Sequence, residues 1–313
     1  MAAASLPYLS AEDLAATVSW QDAIAALTRR ITGGSDVAGG VPRIAVPTEH
    51  GELLLMPAES ADSVGVKLLS VAPDNPAAGL PRIQAVYVVM DSTTLTPRLL
   101  LDGAALTALR TPALSALAVD RLAIPQARRL TVFGAGPQGE AHVHAMRTIR
   151  PIEDVTVLSR QAESSQRLVD LLLAQGIAAH TGTPDEAVAG ADIVVCATTA
   201  RRPLFDGNRL AGHACVVAVG SHEPDARELD DRVFERAHRV AVEDAGTAER
   251  EAGDVIGALK AGALTADSLI GLGELVFLNP ADGISVFKSV GMGWQDLAVA
   301  ELAATGWHSQ HRS

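Results

Sequence analysis

Residues 130–160 read LTVFGAGPQGEAHVHAMRTIRPIEDVTVLSR, and this stretch decides the fold class. An apolar run at 130–133 ends at Gly134-Ala135-Gly136-Pro137-Gln138-Gly139, a helix-compatible segment starts at Glu140, and a second apolar run covers 155–158. Strand, glycine turn, helix and strand in that order make a dinucleotide-binding βαβ unit. Gly134 allows the tight turn, Gly136 admits a pyrophosphate close to the backbone, and Gly139 lets helix and strand pack closely. The pyrophosphate would rest on the free N–H groups of the helix start, beside Pro137 and Gln138. Ser159 and Arg160 follow the second strand, where an acidic residue would receive the ribose 2′-hydroxyl of NAD. A carboxylate would repel a 2′-phosphate, whereas a hydroxyl and a guanidinium bind one. The expected cofactor is therefore NADPH, favoured over NADH.

The chain has 313 residues, enough for two domains. Its composition, 48% hydrophobic and 20% charged, is that of a soluble globular protein rather than a disordered one. A net charge of −12 argues against a nucleic-acid or anionic-membrane partner. No apolar run reaches the ~18 residues of a membrane span. The N-terminus lacks the basic and apolar regions of a secretory signal. Cys196 and Cys215 fall in apolar runs and read as core thiols of a reducing cytoplasm. No metal site is expected.

Outward from the glycine turn, residues 8–32 suggest one helix, capped by Ser10 with Asp13 three residues on. Runs at 52–56, 65–71 and 83–90, punctuated by Pro and Gly, read as strands of a β-rich domain. No long helix separates them, so a parallel sheet is not expected. Residues 102–123 are helical in composition, with an expected interruption before Pro112. Thr111 would then be an N-cap and Arg110 would stand beside a fresh helix start, a place suited to an anion. Downstream, short strands and helices alternate. Strand ends in such a sheet face the ligand crevice, which singles out Thr198, Thr199, Gly220, Ser221 and His222. A tail helix at 294–307 could fold back on the first domain. The fold class is α/β, a Rossmann-type dinucleotide-binding domain plus a smaller β-rich domain.

Six separated segments together resemble the ornithine cyclodeaminase/μ-crystallin family. They are VPRIAVP (41–47), VKLLSVAPDNPAAGLP (66–81), LLDGAALTALRTPALSALAVDRLA (100–123), VFGAGPQGEAHVHAM (132–146), GSHEPDARELD (220–230) and VFKSVGMGWQDLAVAELA (286–303). The resemblance implies a homodimer with a substrate and dimerisation domain at 1–115, a Rossmann domain at 116–291, and a C-terminal helix at 292–313 returning to the first domain. It implies that Arg43, Lys67 and Arg110 surround the substrate carboxylate and reacting carbon, that Thr111 contacts a phosphate, and that Ser289, Val290 and Gly291 lie near the nicotinamide. The residue types suit those roles, since a guanidinium grips a carboxylate bidentately and a lysine can act as an acid. Two neighbouring arginines are expected to lower the pKa of Lys67.

One position departs from the cyclodeaminases. They carry an aspartate where this chain has His222, which points away from ornithine cyclodeamination and toward reductases of cyclic ketimines such as Δ1-pyrroline-2-carboxylate. An ornithine-type cyclodeaminase, an alanine-type amino-acid dehydrogenase and a non-catalytic NADP-dependent binding protein of the crystallin type remain the alternatives. The expected partner is a small cyclic imine or amino acid.

Overall fold

A computed structural model of the chain describes residues 6–33, 40–221 and 223–310. The chain divides into two compact units, one formed by Met1–Arg110 with Met292–Ser313 and the other by Thr111–Gly291.

The first unit opens with β1 (Tyr8–Leu9), α1 (Ala11–Thr17) and α2 (Trp20–Thr32). Ser10 and Asp13 form the expected capping box, but the single helix expected over 8–32 is two. Val18 leaves the helix in an extended conformation, and Ser19 caps the next one by accepting from the Asp22 N–H. Then come β2 (Ile44–Thr48), β3 (Gly51–Glu59), β4 (Ser63–Val71), β5 (Ile83–Asp91) and β6 (Pro97–Asp102). They form a sheet in the order β1-β6-β5-β4-β3-β2, antiparallel except for β1 with β6. Sequence reading missed β2, whose Pro47 is tolerated because β2 is an edge strand. In β4 the side chains alternate: Gly65, Lys67, Leu69 and Val71 are buried, while Leu68 is exposed on the other face. Lys67 therefore points into the unit. Gly65 has to be glycine, because a Cβ there would overlap the Tyr87 hydroxyl on the paired strand.

The expected break before Pro112 does not occur. Helix α3 runs without interruption from Gly103 to Leu122, with Pro112 inside it. An interior proline costs about 3 kcal/mol. The buried row Leu109, Ala113, Leu114, Ala116 and Leu117 offsets that cost as long as the helix continues. Thr111 is thus not an N-cap, and Arg110 does not stand at a helix start. The boundary between the units falls inside α3.

The second unit follows the βα alternation. Its elements are β7 (Arg129–Phe133), α4 (Pro137–Ile149), β8 (Asp154–Leu158), α5 (Ala162–Ala174), β9 (Ala179–Thr181), α6 (Pro184–Gly190), β10 (Ile193–Cys196) and β11 (Cys215–Ala218). After these come α7 (Asp231–Arg236), β12 (Ala237–Val242), α8 (Ala245–Glu251), α9 (Gly253–Ala261), β13 (Leu269–Ile270), α10 (Leu272–Leu275) and β14 (Ile284–Lys288). The sheet is parallel, in the order β13-β12-β14-β11-β10-β7-β8-β9. From β7 the chain steps outward through β8 to β9, then returns to the opposite side at β10. The switch point lies between β7 and β10, where open α/β sheets bind ligands. Cys196 and Cys215 are buried free thiols of this sheet.

The last helix, α11 (Gly293–Gln310), belongs to the first unit and packs on β3, β4, β5 and α2. Residues 294–300 are buried all round, so α11 is a core helix rather than a half-exposed one. No helix among the described residues is long and apolar enough to cross a membrane.

Candidate functional site

In the second unit the glycine turn has the geometry of a pyrophosphate cradle. Gly134 has φ +114, in the range that favours glycine, and its N–H donates to Leu158 O at 2.8 Å, tying the turn to the end of β8. A Cβ on Gly139 would overlap Gly134 O, whereas one on Gly136 would meet nothing within 4 Å. The two outer glycines are needed for packing; the middle one faces open space. Helix α4 starts at Pro137, three residues before the expected Glu140, so Gln138 and Gly139 lie in its first turn. Proline at that position forgoes an N–H that no helix carbonyl could accept. The residues present fit a dinucleotide. Buried His142 joins α4 to α3, with Nδ1 2.7 Å from Gln138 O and Nε2 3.0 Å from Ser115 Oγ. Burial pulls its pKa down to about 4, so the ring is neutral. Gln138 O can only accept, so Nδ1 carries the proton, and Nε2 shares the single Ser115 hydroxyl proton with Thr111 O.

Ser159 and Arg160 follow β8. Arg160 is exposed, while Ser159 Oγ lies 2.7 Å from Gln161 O and 2.9 Å from Ser165 Oγ. The hydroxyl is thus fixed locally, and the guanidinium is the group open to an approaching phosphate.

At the strand ends, buried charges organise the loops. Glu228 accepts from Thr198 N and Oγ1 through Oε1, and from Gly220 N through Oε2. Asp254 Oδ1 accepts from the N–H groups of Glu228 and Leu229. Lys288, at the end of β14, is fully buried; its Nζ donates to Ser221 O at 2.6 Å and pairs with Asp254 Oδ2 at 3.0 Å. Ser221 Oγ donates to Ala226 O. Glu243 gathers Ser289 Oγ and the N–H groups of Val290 and Gly291. Gly220, Ser221, Val290 and Gly291 are therefore held by the protein itself through the very groups a ligand would use. Thr199 is exposed beside them. His222 lies outside the described residues.

In the first unit three residues named from sequence converge. Lys67, on β4, sits 2.7 Å from Asp296 Oδ2 and donates to Thr107 Oγ1 at 3.2 Å; Lys67 is 2% exposed and Asp296 0%. The Nζ–Oδ2 approach is close but off the hydrogen-bond axis, so the attraction is chiefly coulombic. Arg110 donates from Nε to Asp296 Oδ1 at 3.1 Å and from Nη1 to Gln295 Oε1 at 2.7 Å. Arg43, half-buried just before β2, acts on Lys67 through its charge. The pKa of Lys67 is lowered to about 8, first by burial. Asp296 opposes that shift, and Arg110 and then Arg43 add to it. The expected direction is right, but burial rather than the arginines is the main cause. Tyr87, paired with Lys67 across the sheet, has its phenol pKa raised well above the usual value by burial and by Asp296, and is neutral. The result is a cluster of three cations around one buried carboxylate, with a lysine whose pKa is lowered to about 8.

A family model for the ornithine cyclodeaminase/mu-crystallin family matches residues 10–311. The chain belongs to that family. A Delta(1)-pyrroline-2-carboxylate reductase of Bacillus thuringiensis is 33% identical over 264 residues, covering 81% of each chain. The ketimine reductase mu-crystallin of Mus musculus is 32% identical over 271 residues, covering 85% of this chain and 84% of the mouse protein. Among solved structures, Thermococcus litoralis Delta(1)-pyrroline-2-carboxylate reductase in complex with NADH and L-proline superposes with a TM-score of 0.91 at 28% identity, over 98% of each chain.

Sequence reading of this cyclodeaminase/mu-crystallin chain missed Thr107, Gln295 and Asp296 in the first unit, and Glu228, Asp254, Lys288 and Glu243 in the second. One signal was available. Of the 25 basic side chains only three are lysines, Lys67, Lys260 and Lys288, and Lys67 and Lys288 each sit in an apolar strand. A lysine placed in a buried strand demands a carboxylate partner, which arginine-rich surfaces elsewhere do not.

Proposed function

We propose that the protein is an NADPH-dependent reductase that converts a cyclic ketimine carboxylate, such as Δ1-pyrroline-2-carboxylate, to the cyclic amino acid. The observation that carries this reading is the buried set of Lys67, Arg110 and Asp296 with Arg43 beside it. The reductases named among its relatives, and the archaeal one solved with proline, the product of such a reduction, support the substrate class.

Arg43 and Arg110 bind the substrate carboxylate and fix the ring. Gly134, Gly136, Pro137, Gln138 and Gly139, with Thr111, would hold the cofactor, and Thr198 and the 220–221 and 290–291 loops, fixed by Glu228 and Glu243, would line its site. A reduced nicotinamide supplies a hydride. Lys67, held by its charge to Asp296 and donating one N–H to Thr107, offers another to the imine nitrogen. Protonation draws electrons from the imine carbon and makes it the better hydride acceptor. Preference for NADPH rests on the exposed Arg160 guanidinium, and the relative from Thermococcus litoralis was solved with NADH.

We place the enzyme in the cytoplasm, as a homodimer. The buried thiols suit a reducing compartment. Ile44, Val46, Leu53 and Leu68 share one sheet face and are 53%, 42%, 37% and 38% exposed, an apolar surface next to an edge strand. The deciding experiment compares NADPH oxidation with Δ1-pyrroline-2-carboxylate against ammonia release from ornithine. The first should be rapid and the second absent; the reverse would identify a cyclodeaminase.

A further inference from the structure

We propose that Asp296 is the positioning residue of the proton-supplying step, pairing with Lys67 and Arg110 at once so that the ammonium stays charged and the guanidinium is held in place. The inference rests on Lys67 as the acid, and it assigns a task to a residue that touches no substrate.

Three cations meet here: Lys67 from β4, Arg110 from α3 and Arg43 from the segment before β2. The groups facing Lys67 from the other packed elements are Tyr87 of β5, a neutral phenol, Thr107 of α3, and Asp296 of α11. Asp296 is thus the anion that faces the ammonium at contact distance. Arginines do not give up their proton in proteins, so any unbalanced charge falls on the lysine. Without Asp296, a buried Lys67 beside two guanidiniums would discharge before substrate arrived and could protonate nothing. The same carboxylate occupies Nε of Arg110, and Gln295 occupies Nη1, so the guanidinium plane is set before a ligand binds. In turnover one Nζ–H bond of Lys67 breaks, an N–H bond forms on the imine, and the imine carbon receives the hydride pair. Neutral Lys67 then regains its proton from solvent, and Asp296 restores the pair.

The protein has only three lysines, so selective carbon-13 labelling of lysine gives three side-chain signals to titrate by NMR. Lys67→Met and Lys260→Met variants assign them, Lys260 being exposed. Asp296→Asn should move the Lys67 midpoint acidward by ~1–3 pH units, the usual effect of one close opposite charge. The alkaline fall of the reduction rate should move by the same amount, and activity should return in part at lower pH. An unmoved midpoint with activity lost at every pH would reduce Asp296 to a packing residue. Should Asp296→Asn not fold, Arg110→Gln tests the same balance with the opposite sign: losing a cation should move the midpoint alkaline, and no movement overturns the proposal. A midpoint that moves as expected in a protein that reduces no cyclic imine supports the charge control and refutes the reductase reading.

Discussion

Replacing Lys67 with Met removes one charge and nearly conserves volume. With a midpoint at about 8, Lys67 is about nine-tenths charged at pH 7 and about one-tenth charged at pH 9. If it supplies the proton, the wild-type rate with a saturating cyclic imine is flat below the midpoint. It then falls tenfold per unit as pH rises above it. Lys67→Met should lower turnover by ~10²–10⁴-fold, the usual contribution of a general acid, which corresponds to ~2.7–5.4 kcal/mol of barrier. Its pH profile should lose the alkaline fall. NADPH affinity should barely change, because Lys67 and the glycine turn belong to different units. Stopped-flow reduction across the pH range, with cofactor fluorescence titration in parallel, measures both quantities. Near-normal turnover in the variant, or a wild-type rate that stays flat through the lysine midpoint, would mean that the proton comes from solvent. Lys67 would then serve only as a carboxylate ligand.

Arg160→Ala should cost ~1.5–3 kcal/mol of NADPH binding and leave NADH binding unchanged, as read by competitive titration; equal use of both cofactors by the wild type would defeat the argument. Lys288→Met leaves Asp254 and Glu228 buried without their cation and should destabilise the protein by ~3–5 kcal/mol in urea unfolding, a loss that Asp254→Asn in the same chain should partly recover. His142 has its folded pKa lowered to about 4 from 6.5, so the unfolded chain binds the extra proton first. Its contribution is complete above pH ~6.5 and is lost as pH falls toward 4, and His142→Asn should flatten that limb of the stability profile.

The sequence by itself determined the elements whose causes are local. The glycine turn between two apolar runs, the Ser10–Asp13 box and the alternation that turns Lys67 inward each depend on neighbours within a few residues. Those signals survive in one dimension because backbone geometry and side-chain period act over that range. Tertiary structure decided what depends on distant partners. Helix α3 passes through Pro112 because its far side is buried, a gain invisible in the local proline penalty. Asp296 lies 186 positions from Arg110, in a tail whose apolar residues announced a helix but not what its carboxylate would meet. At the strand ends, Glu228, Asp254 and Glu243 take the backbone amides that chain order alone would have left for a ligand. Burial gives such pairs their strength, and burial is a property of the assembled fold: a carboxylate near a lysine counts for little in water and governs its protonation once both are sealed from it.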